Sequence, residues 1–510
     1  MGQTTIILMI LTIISKIFGF VRESVMAAFI GAGELKSIYT TSMTIPNVLT
    51  WIVSTGIISS YIPIYNKVIN EKGEKAGNEF TSNLINIALI YSLIAFIIVF
   101  IFAKPISKIF SPQLSGDELV LATNFTRIII FAIFAFMYSS IIRGFLNIKD
   151  NFIDPLLTGF ILNIITILAT LLTAKLRNPY ILIIGALIAN IFQYIRYPFV
   201  SKKLGFKYQN ILNFKDEYIK MFMVLIIPIM ISSAVDQISL LIDNSMASAF
   251  FGIESVSKIF YAKTMLNFIM GVVTLSVTTV TFPEIAKAGQ SGELNVLRSK
   301  ISSAIVFSML LVIPATFGMM VLSNPIIKLA FERSAFTNND TIMVSSLLIY
   351  YAPYIIFTSL IKILANGFYS IGDSKTPVII VLIQQIINIL LNIILVNFVG
   401  VNGIGLATSL STAIGCILLV LAFNKKVCNV DRIGNFNSLS KIIISTIIMS
   451  FIVKFIYVKS NLYSAISLLL SVLIGGLTYL VIIKFMKINE VDIIILEIKK
   501  KINELRDNHN

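Results

Sequence analysis

Apolar residues fill most of this chain, in stretches of about 20 residues or more that short polar segments separate. A helix needs about 20 mainly apolar residues to cross the hydrocarbon of a membrane, so each stretch predicts one membrane-spanning helix. The pattern therefore predicts an all-α polytopic membrane protein with about 14 transmembrane helices. The predicted spans are residues 5–33, 38–64, 80–103, 119–147, 153–174, 179–200, 218–243, 254–283, 301–322, 341–370, 376–398, 403–424, 438–457 and 463–484.

The composition of the chain supports this class and indicates an orientation. The 510 residues are 57% hydrophobic and 13% charged, and the mean hydropathy is +0.91, whereas a soluble domain needs a largely polar surface. Loops on the side of the two termini carry more than twice as many lysines and arginines as the opposite loops. This excess predicts that both termini are cytoplasmic. It also explains the formal net charge of +15 by membrane topology, without a nucleic-acid partner.

Cysteine and histidine usage gives no sign of a disulfide framework, a zinc site or a catalytic group. The two cysteines are Cys416 and Cys428, and the one histidine is His509, near the end of the chain. The nearest enzyme class, a membrane glycosyltransferase, would need carboxylates beside a substantial external domain, and the predicted outward connections are short. We therefore expect a protein that is not an enzyme and that holds no cofactor.

The sequence contains an internal duplication. The segment GFLNIKDNFIDP from Gly144 resembles the segment GFYSIGDSKTP from Gly367, and a shift of 223 residues aligns the residues they share. Asn47, Pro63 and Lys67 recur as the same residue types 220 positions later. Two sets of matches at nearly one offset indicate a repeat of about six spans.

An even number of spans in each repeat means that both halves enter the membrane in the same direction, as in many transporters. Residues 1–210 are predicted to form a first lobe with spans 1 to 6, and residues 211–425 a pseudo-symmetric second lobe with spans 7 to 12. Residues 426–510 add spans 13 and 14 and an amphipathic cytoplasmic tail, because residues 491–505 place apolar side chains at helical spacing beside three lysines.

Several predicted spans contain ionisable side chains, which cost about 2.5 to 3.5 kcal/mol each at a helix centre and so normally face a wet cavity or one another. We interpret one set as substrate-binding residues of a central cavity: Lys16, Arg22 and Glu23 in span 1, Lys263 in span 8 and Lys362 in span 10. A cationic cavity suits an anionic headgroup such as a pyrophosphate, and guanidinium is especially suited to phosphate oxygens. The strongest expectation is that Arg22, helped by Lys16, receives this group.

The alternative is that these charges only neutralise one another and fix helix packing. For Arg22 this would be an ion pair with Glu23 or with an acidic residue of span 7. If the cargo is a pyrophosphate, the membrane potential favours its export, because two negative charges moving outward from a negative interior gain about 4.6 kcal/mol per 100 mV.

A polar stripe marks span 11, where Gln384, Asn388 and Asn392 follow one another at intervals of four. One interpretation is hydrogen bonding between helices. The other joins Asp243 of span 7, Asn388, Asn392 and Thr408 of span 12 into an oxygen-rich metal site for sodium, because hard cations prefer such ligands. Sodium or a proton at this site would couple an ion gradient to transport.

Four motifs, in matching order along nearly the whole chain, carry a family resemblance. They are SKIFGFVRE from Ser15, IPNVL from Ile45, ERSAFT from Glu332 and IKILANGFYSIGDSKTPV from Ile361. In combination they resemble the MurJ/MviN branch of the multidrug/oligosaccharidyl-lipid/polysaccharide exporter superfamily.

This resemblance implies two six-helix lobes and two further helices that form a groove for a lipid tail. It implies a lipid II flippase in the bacterial cytoplasmic membrane, which exports an undecaprenyl-pyrophosphate-linked peptidoglycan precursor by alternating access. The partners it implies are a lipid-linked oligosaccharide and membrane lipids, and we expect a monomer. Basic residues of spans 1, 2 and 8 line the cavity in that family, and they correspond here to Lys16 and Arg22 in span 1.

Three positions depart from the family pattern. Thr50 and Thr264 stand where the family has arginines in spans 2 and 8, and Ser37 stands where it has an acidic residue. Two alternatives therefore stay open: a flippase for another undecaprenyl-linked polysaccharide precursor, or a multidrug/cation antiporter that would use Asp236 and Asp243.

Overall fold

A computed structural model of the chain describes residues 3–290, 292–427, 436–460 and 464–487. Every regular element in these ranges is an α-helix, which confirms the predicted class. Cys428 and the predicted amphipathic tail, residues 491–505, lie outside the described residues. The helices are α1 Gln3–Ile30, α2 Glu34–Ile101, α3 Ala103–Phe110, α4 Gly116–Ile129, α5 Ala132–Ile148, α6 Ile153–Leu176, α7 Pro179–Phe192, α8 Arg196–Lys203, α9 Glu217–Phe251, α10 Glu254–Gln290, α11 Leu294–Val321, α12 Ser323–Phe331, α13 Asn338–Tyr351, α14 Pro353–Ser370, α15 Lys375–Val399, α16 Asn402–Val427, α17 Phe436–Lys459 and α18 Ser464–Phe485.

Each predicted span coincides with one helix or with two consecutive helices. The second and third predicted spans are both part of α2, which is interrupted only at Gly73, where φ is 81°. The polar segment between these spans is thus helical on both sides of Gly73, and it contains an ion pair of 3.8 Å between Lys67 and Glu71, one turn apart. Ten helical stretches of the described residues are long and apolar enough to cross a membrane. The multi-pass class is confirmed, and the count of fourteen spans stays a prediction.

The two segments that revealed the duplication have matching helical surroundings. Gly144 lies near the end of α5 and Gly367 near the end of α14. A methyl group at either position would collide with a side chain of a neighbouring helix, Tyr61 of α2 at Gly144 and Ile301 of α11 at Gly367. Glycine lets these helices approach closely at both positions. The membrane face of the turns that follow stays a prediction.

The first compact unit consists of Met1–Phe260 and Phe331–Asp340. Within it, α2 packs against α4, α5 and α9. Stacked rings of Tyr61 and Tyr65, with centroids 5.4 Å apart, and the edge of Phe145 form part of its core.

The second compact unit consists of Tyr261–Ala330 and Thr341–Asn510. In this unit α11 packs against α14 and α17, α15 against α16, and α17 against α18. The Tyr479 hydroxyl of α18 donates to the Leu310 carbonyl of α11 at 2.8 Å. The predicted lobe boundaries at residues 210 and 425 were placed by the internal repeat. Packing between helices does not test the repeat, so these boundaries stay a prediction.

Candidate substrate-binding site

Arg22, Glu23 and Lys36 form an ion cluster in the first compact unit. Glu23 Oε1 accepts from Arg22 Nε at 3.1 Å and from Arg22 Nη2 at 2.7 Å, and Glu23 Oε2 accepts from Lys36 Nζ at 2.9 Å. Glu23 is 5% exposed and Lys36 0%, whereas the Arg22 side chain is 24% exposed. Two cations share one carboxylate, so the cluster keeps one positive charge in excess. Arg22 is the partly exposed member of the cluster.

Lys36 is a member of this cluster that the sequence did not single out. It lies between the first two predicted spans, where a lysine is ordinarily part of a solvated loop. In the structure α2 already begins at Glu34, and Lys36 Nζ lies 4.3 Å from the ring centre of Phe260. The available signal was Glu23, because a buried carboxylate needs a cation and Lys36 is the first one that follows it in the chain.

The cluster contains the ion pair between Arg22 and Glu23 that is the alternative to substrate binding. Both oxygens of Glu23 are engaged, so this residue positions the two cations. Nη1 of Arg22 has no acceptor among the described residues, and it can therefore donate to a bound anion. Lys16, which is half-buried in α1, has no hydrogen-bond or ion-pair partner in the described part of the chain. The substrate role of Lys16, Arg22 and Glu23 stays a prediction.

A cavity of about 510 Å³ in the first compact unit contains a second arginine, Arg143 of α5. We call it the Arg143 cavity. Other polar residues that line it are Asn47, Thr50 and Ser54 of α2, Ser139 and Ser140 of α5, Thr158 of α6, Tyr194, Tyr197 of α8 and Gln237 of α9. None of the described residues that line it is acidic. Arg143 is not among the residues singled out from the sequence, although it is a charge within predicted span 4, five residues from the end of α5.

Lys263 and Lys362 lie in the second compact unit. The Nζ atom of Lys263 is 5.3 Å from the ring centre of Tyr351, a cation–π distance. Lys362 lines a cavity of about 410 Å³ together with Asn366 and Gln384. The structure thus places Lys362 in a cavity and Lys263 against an aromatic ring, and their substrate role stays a prediction.

The cavities of the two units use equivalent helix positions. The shift of 223 residues that aligns the Gly144 and Gly367 segments pairs Arg143 with Asn366 and Ser139 with Lys362. All four residues line their respective cavities. Each cavity therefore has one cation on the corresponding helix, displaced by one turn between the repeats.

The polar stripe of α15 forms hydrogen bonds with α16. Asn388 Nδ2 donates to Thr408 Oγ1 at 3.4 Å, and Asn392 Nδ2 donates to Asn388 Oδ1 at 3.2 Å. Gln384 Nε2 donates to Thr412 Oγ1 at 3.3 Å. The interhelical bonding expected of such a stripe is present.

The fourth residue of the predicted sodium site, Asp243, is 3% exposed and belongs to the first compact unit, whereas Asn388, Asn392 and Thr408 belong to the second. Among the described residues, no group of three or more His, Cys, Asp or Glu side chains could hold a metal ion. The sodium site stays a prediction. The side chain of Asp236 lies outside the described part of the structure.

Ser37, one of the departures from the family pattern, has a packing role. It is fully buried, and its Oγ accepts the backbone N–H of Ser257 at 3.1 Å. Thr50, another departure, lies in the Arg143 cavity.

Known proteins resemble this chain in sequence and in structure. The family model described as lipid II flippase MurJ matches residues 26–474. A probable lipid II flippase MurJ of Rickettsia prowazekii is 30% identical over 422 residues, 80% of this chain and 81% of the relative. A protein of the same description from Buchnera aphidicola subsp. Acyrthosiphon pisum is 27% identical over 493 residues, 92% of this chain and 94% of the relative.

Solved structures share the fold. A lipid II flippase MurJ in an inward closed conformation has a TM-score of 0.81 at 26% identity, and the match covers 94% of this chain and 98% of that one. An inward-facing multidrug resistance MATE family transporter of the MOP superfamily has a TM-score of 0.68 at 12% identity, over 81% of this chain and 94% of that one.

Proposed function

The chain belongs to the lipid II flippase MurJ family, and from this premise we propose that it carries lipid II from the inner to the outer leaflet of the bacterial cytoplasmic membrane. The cargo is then a lipid with a pyrophosphate-linked headgroup, which the hydrocarbon would exclude. We propose transport by alternating access, which is supported by transporters of the same fold described as inward-facing and as outward-facing.

The observation that carries the proposed substrate contact is the excess positive charge of the cluster of Arg22, Glu23 and Lys36. Two cations share one carboxylate, and Arg22 is the partly exposed member of the cluster. Lys16 lies seven residues before Glu23, about 10 Å along the helix and on the same face. Lys16 and the cluster of Arg22, Glu23 and Lys36 together offer a pyrophosphate two positive charges in excess of the single carboxylate.

The orientation follows from the distribution of basic residues. With both termini in the cytoplasm, the loops with most lysines and arginines face the anionic inner leaflet. Each compact unit contains a cavity lined by one cation and several other polar side chains, and we propose that the protein works as a monomer.

Depletion of the protein in its own host tests the substrate. Because export of lipid II would stop while synthesis continues, we expect lipid II to accumulate in the inner leaflet. Lipids are extracted from cells, and the leaflet is assigned by a reagent that reaches only the outer surface. If another undecaprenyl-linked glycan accumulates and lipid II does not, the proposed cargo is wrong.

A further inference from the structure

Arg143 differs from Arg22 in having no carboxylate beside it. None of the described residues forms an ion pair with Arg143. The carboxylate of Asp154 in α6 is already occupied, because Oδ1 accepts from Arg196 Nε at 2.6 Å and Oδ2 accepts from Asn151 Nδ2 at 2.9 Å. A cation in a predicted span without a carboxylate is expected to face water or an anionic ligand.

Thr50 provides a second, independent sign of a ligand in the Arg143 cavity. It is 9% exposed, and its Oγ1 has no hydrogen-bond partner among the described residues. Thr44 and Thr55 of the same helix instead donate to the carbonyl four residues earlier, each at 2.8 Å. A buried hydroxyl without a partner is uncommon and indicates a site that something else completes.

We propose that Arg143 and Thr50 bind a phosphate group of the lipid-linked pyrophosphate. A guanidinium donates two parallel hydrogen bonds to phosphate oxygens. The Thr50 hydroxyl, which solvent does not reach in this conformation, adds a third donor once the side chain rotates about χ1. No acidic residue among the described lining residues repels the anion. This inference rests on the proposed function, and it assigns the cargo headgroup a binding site separate from Arg22.

The position of the site along the helices suggests when it acts. Arg143 lies five residues before the end of α5, about 8 Å along the axis from a turn that the predicted topology places in the cytoplasm. Thr50 follows Lys36 by fourteen residues of α2, about 21 Å along the axis. The Arg143 cavity is thus the first of the two sites that a headgroup from the inner leaflet meets.

Binding of fluorescent lipid II to the full-length chain in phosphatidylethanolamine nanodiscs tests this site. We expect Arg143→Gln to raise Kd by about ten- to a hundredfold, because hydrogen bonds to a charged group are lost. Thr50→Val removes one neutral donor and should raise Kd by about two- to tenfold. Arg143→Lys keeps the charge but loses the two parallel donors of the guanidinium. Its Kd should lie between those of wild type and Arg143→Gln.

A matched control is Arg127→Gln, which removes an arginine of the neighbouring helix α4. Arg127 Nε donates to the Phe100 carbonyl at 3.2 Å, and Arg127 does not line the cavity. This variant should keep the wild-type Kd. The thermal unfolding midpoint of each variant shows whether it is folded, and Arg143→Lys replaces Arg143→Gln in the comparison should the latter fail to fold.

Competitors distinguish the sources of phosphate. Undecaprenyl pyrophosphate should displace lipid II from wild type, and inorganic pyrophosphate should do so only at higher concentration. If phosphatidylglycerol competes as well as undecaprenyl pyrophosphate, Arg143 is a general phospholipid anchor and the inference is overturned. An equally tight effect of inorganic pyrophosphate would also overturn it, because the site would then recognise free phosphate.

The possible failures are separable. If wild type does not bind lipid II, the proposed function fails. If wild type binds lipid II and both Arg143→Gln and Thr50→Val bind it equally well, only the Arg143 site fails.

Discussion

Arg22 and Arg143 both belong to the first compact unit, but their surroundings differ. Arg22 belongs to a packed cluster in which Glu23 and the fully buried Lys36 determine its position. Arg143 lines a cavity with hydroxyl and amide side chains, and no described carboxylate pairs with it. Pairing therefore decides what a charge in a membrane span can do, because a carboxylate partner offsets part of the cost of burying a cation, while a cation without such a partner needs water or a ligand.

This contrast assigns the two arginines different tasks. A cation without a carboxylate partner, near a turn that the predicted topology places in the cytoplasm, suits capture of a headgroup. A cation fixed by a carboxylate, in a cluster whose Lys36 lies about 21 Å along the α2 axis from Thr50, suits a later step that needs defined geometry.

The largest effect is expected when the shared carboxylate is removed. Glu23→Gln leaves two cations with no carboxylate between them, and losing one partner of a buried pair costs about 3 to 5 kcal/mol. Folded protein in the membrane should fall sharply, as measured by immunoblotting and by the thermal unfolding midpoint in detergent. The double variant Glu23→Gln with Lys36→Met removes one charge of each sign and should recover most of the folded protein. Normal abundance of Glu23→Gln alone would show that the cluster is not compensated in this way.

A smaller effect is expected from Lys36→Met. This change removes the excess charge of the cluster but keeps Arg22, the residue proposed to contact the cargo. Arg22 and Glu23 remain as a neutral pair, so the protein should stay folded. The excess positive charge is lost while the partly exposed Arg22 stays, and lipid II transport should fall by about tenfold, the scale of one charged hydrogen bond. Transport is normalised to the amount of folded protein. If transport does not change, the excess charge of the cluster does not act on the cargo.

Substitutions in the second compact unit test whether the cavities of the two units are equivalent. Lys362→Gln should weaken lipid II binding by about two- to fivefold, because an ammonium is a single flexible point charge. Adding Asn366→Arg to this variant places an arginine at the position equivalent to Arg143 and should restore or exceed wild-type binding. Titration in nanodiscs measures both. A double variant that binds no better than Lys362→Gln would argue against equivalent cavities in the two repeats.

The smallest effect is expected at a turn outside the membrane. Burial alone would raise the pKa of Asp373, but hydrogen bonds from Lys426 and Thr376 and the charge of Lys426 lower this pKa to about 2. The pKa in the folded state lies below that of an unfolded aspartate, near 4. The stabilisation is therefore fully present above about pH 4 and lost as the pH falls through about 2.

A comparison of wild type with Asp373→Asn measures this contribution. The unfolding midpoints should differ slightly at pH 7 and converge as the pH falls through about 2. A difference that is constant down to pH 2 would show that the ion pair with Lys426 is not its source.

The sequence predicted the class and the positions of the helices because membrane spans are long and uniformly apolar. It also singled out Arg22 and Glu23, since charges stand out within such stretches, and their substrate role stays a prediction. It missed Lys36, because helix α2 extends further into the polar segment than hydropathy indicates. It missed Arg143, because a charge near the end of a span looks the same whether it faces a cavity or the headgroups.

The repeat was visible in the sequence, but its consequence for the cavities was not. Identical glycines aligned the halves, whereas the cations Arg143 and Lys362 lie one turn apart in the alignment. Only the three-dimensional arrangement shows that both line a cavity. The departure at Thr50 is likewise interpretable only once this residue is seen to share a cavity with Arg143.

The central claim is that Arg22 acts on the cargo and is not only a packing residue. The most direct measurement is lipid II flipping by equal amounts of folded wild type and Arg22→Gln in liposomes with a potential that is negative on the side of the cargo. Arg22→Gln leaves the neutral pair of Glu23 and Lys36, so it should fold normally. We predict that it loses flipping by about a hundredfold, the upper end expected for a charged hydrogen bond. Wild-type flipping by folded Arg22→Gln would contradict the account.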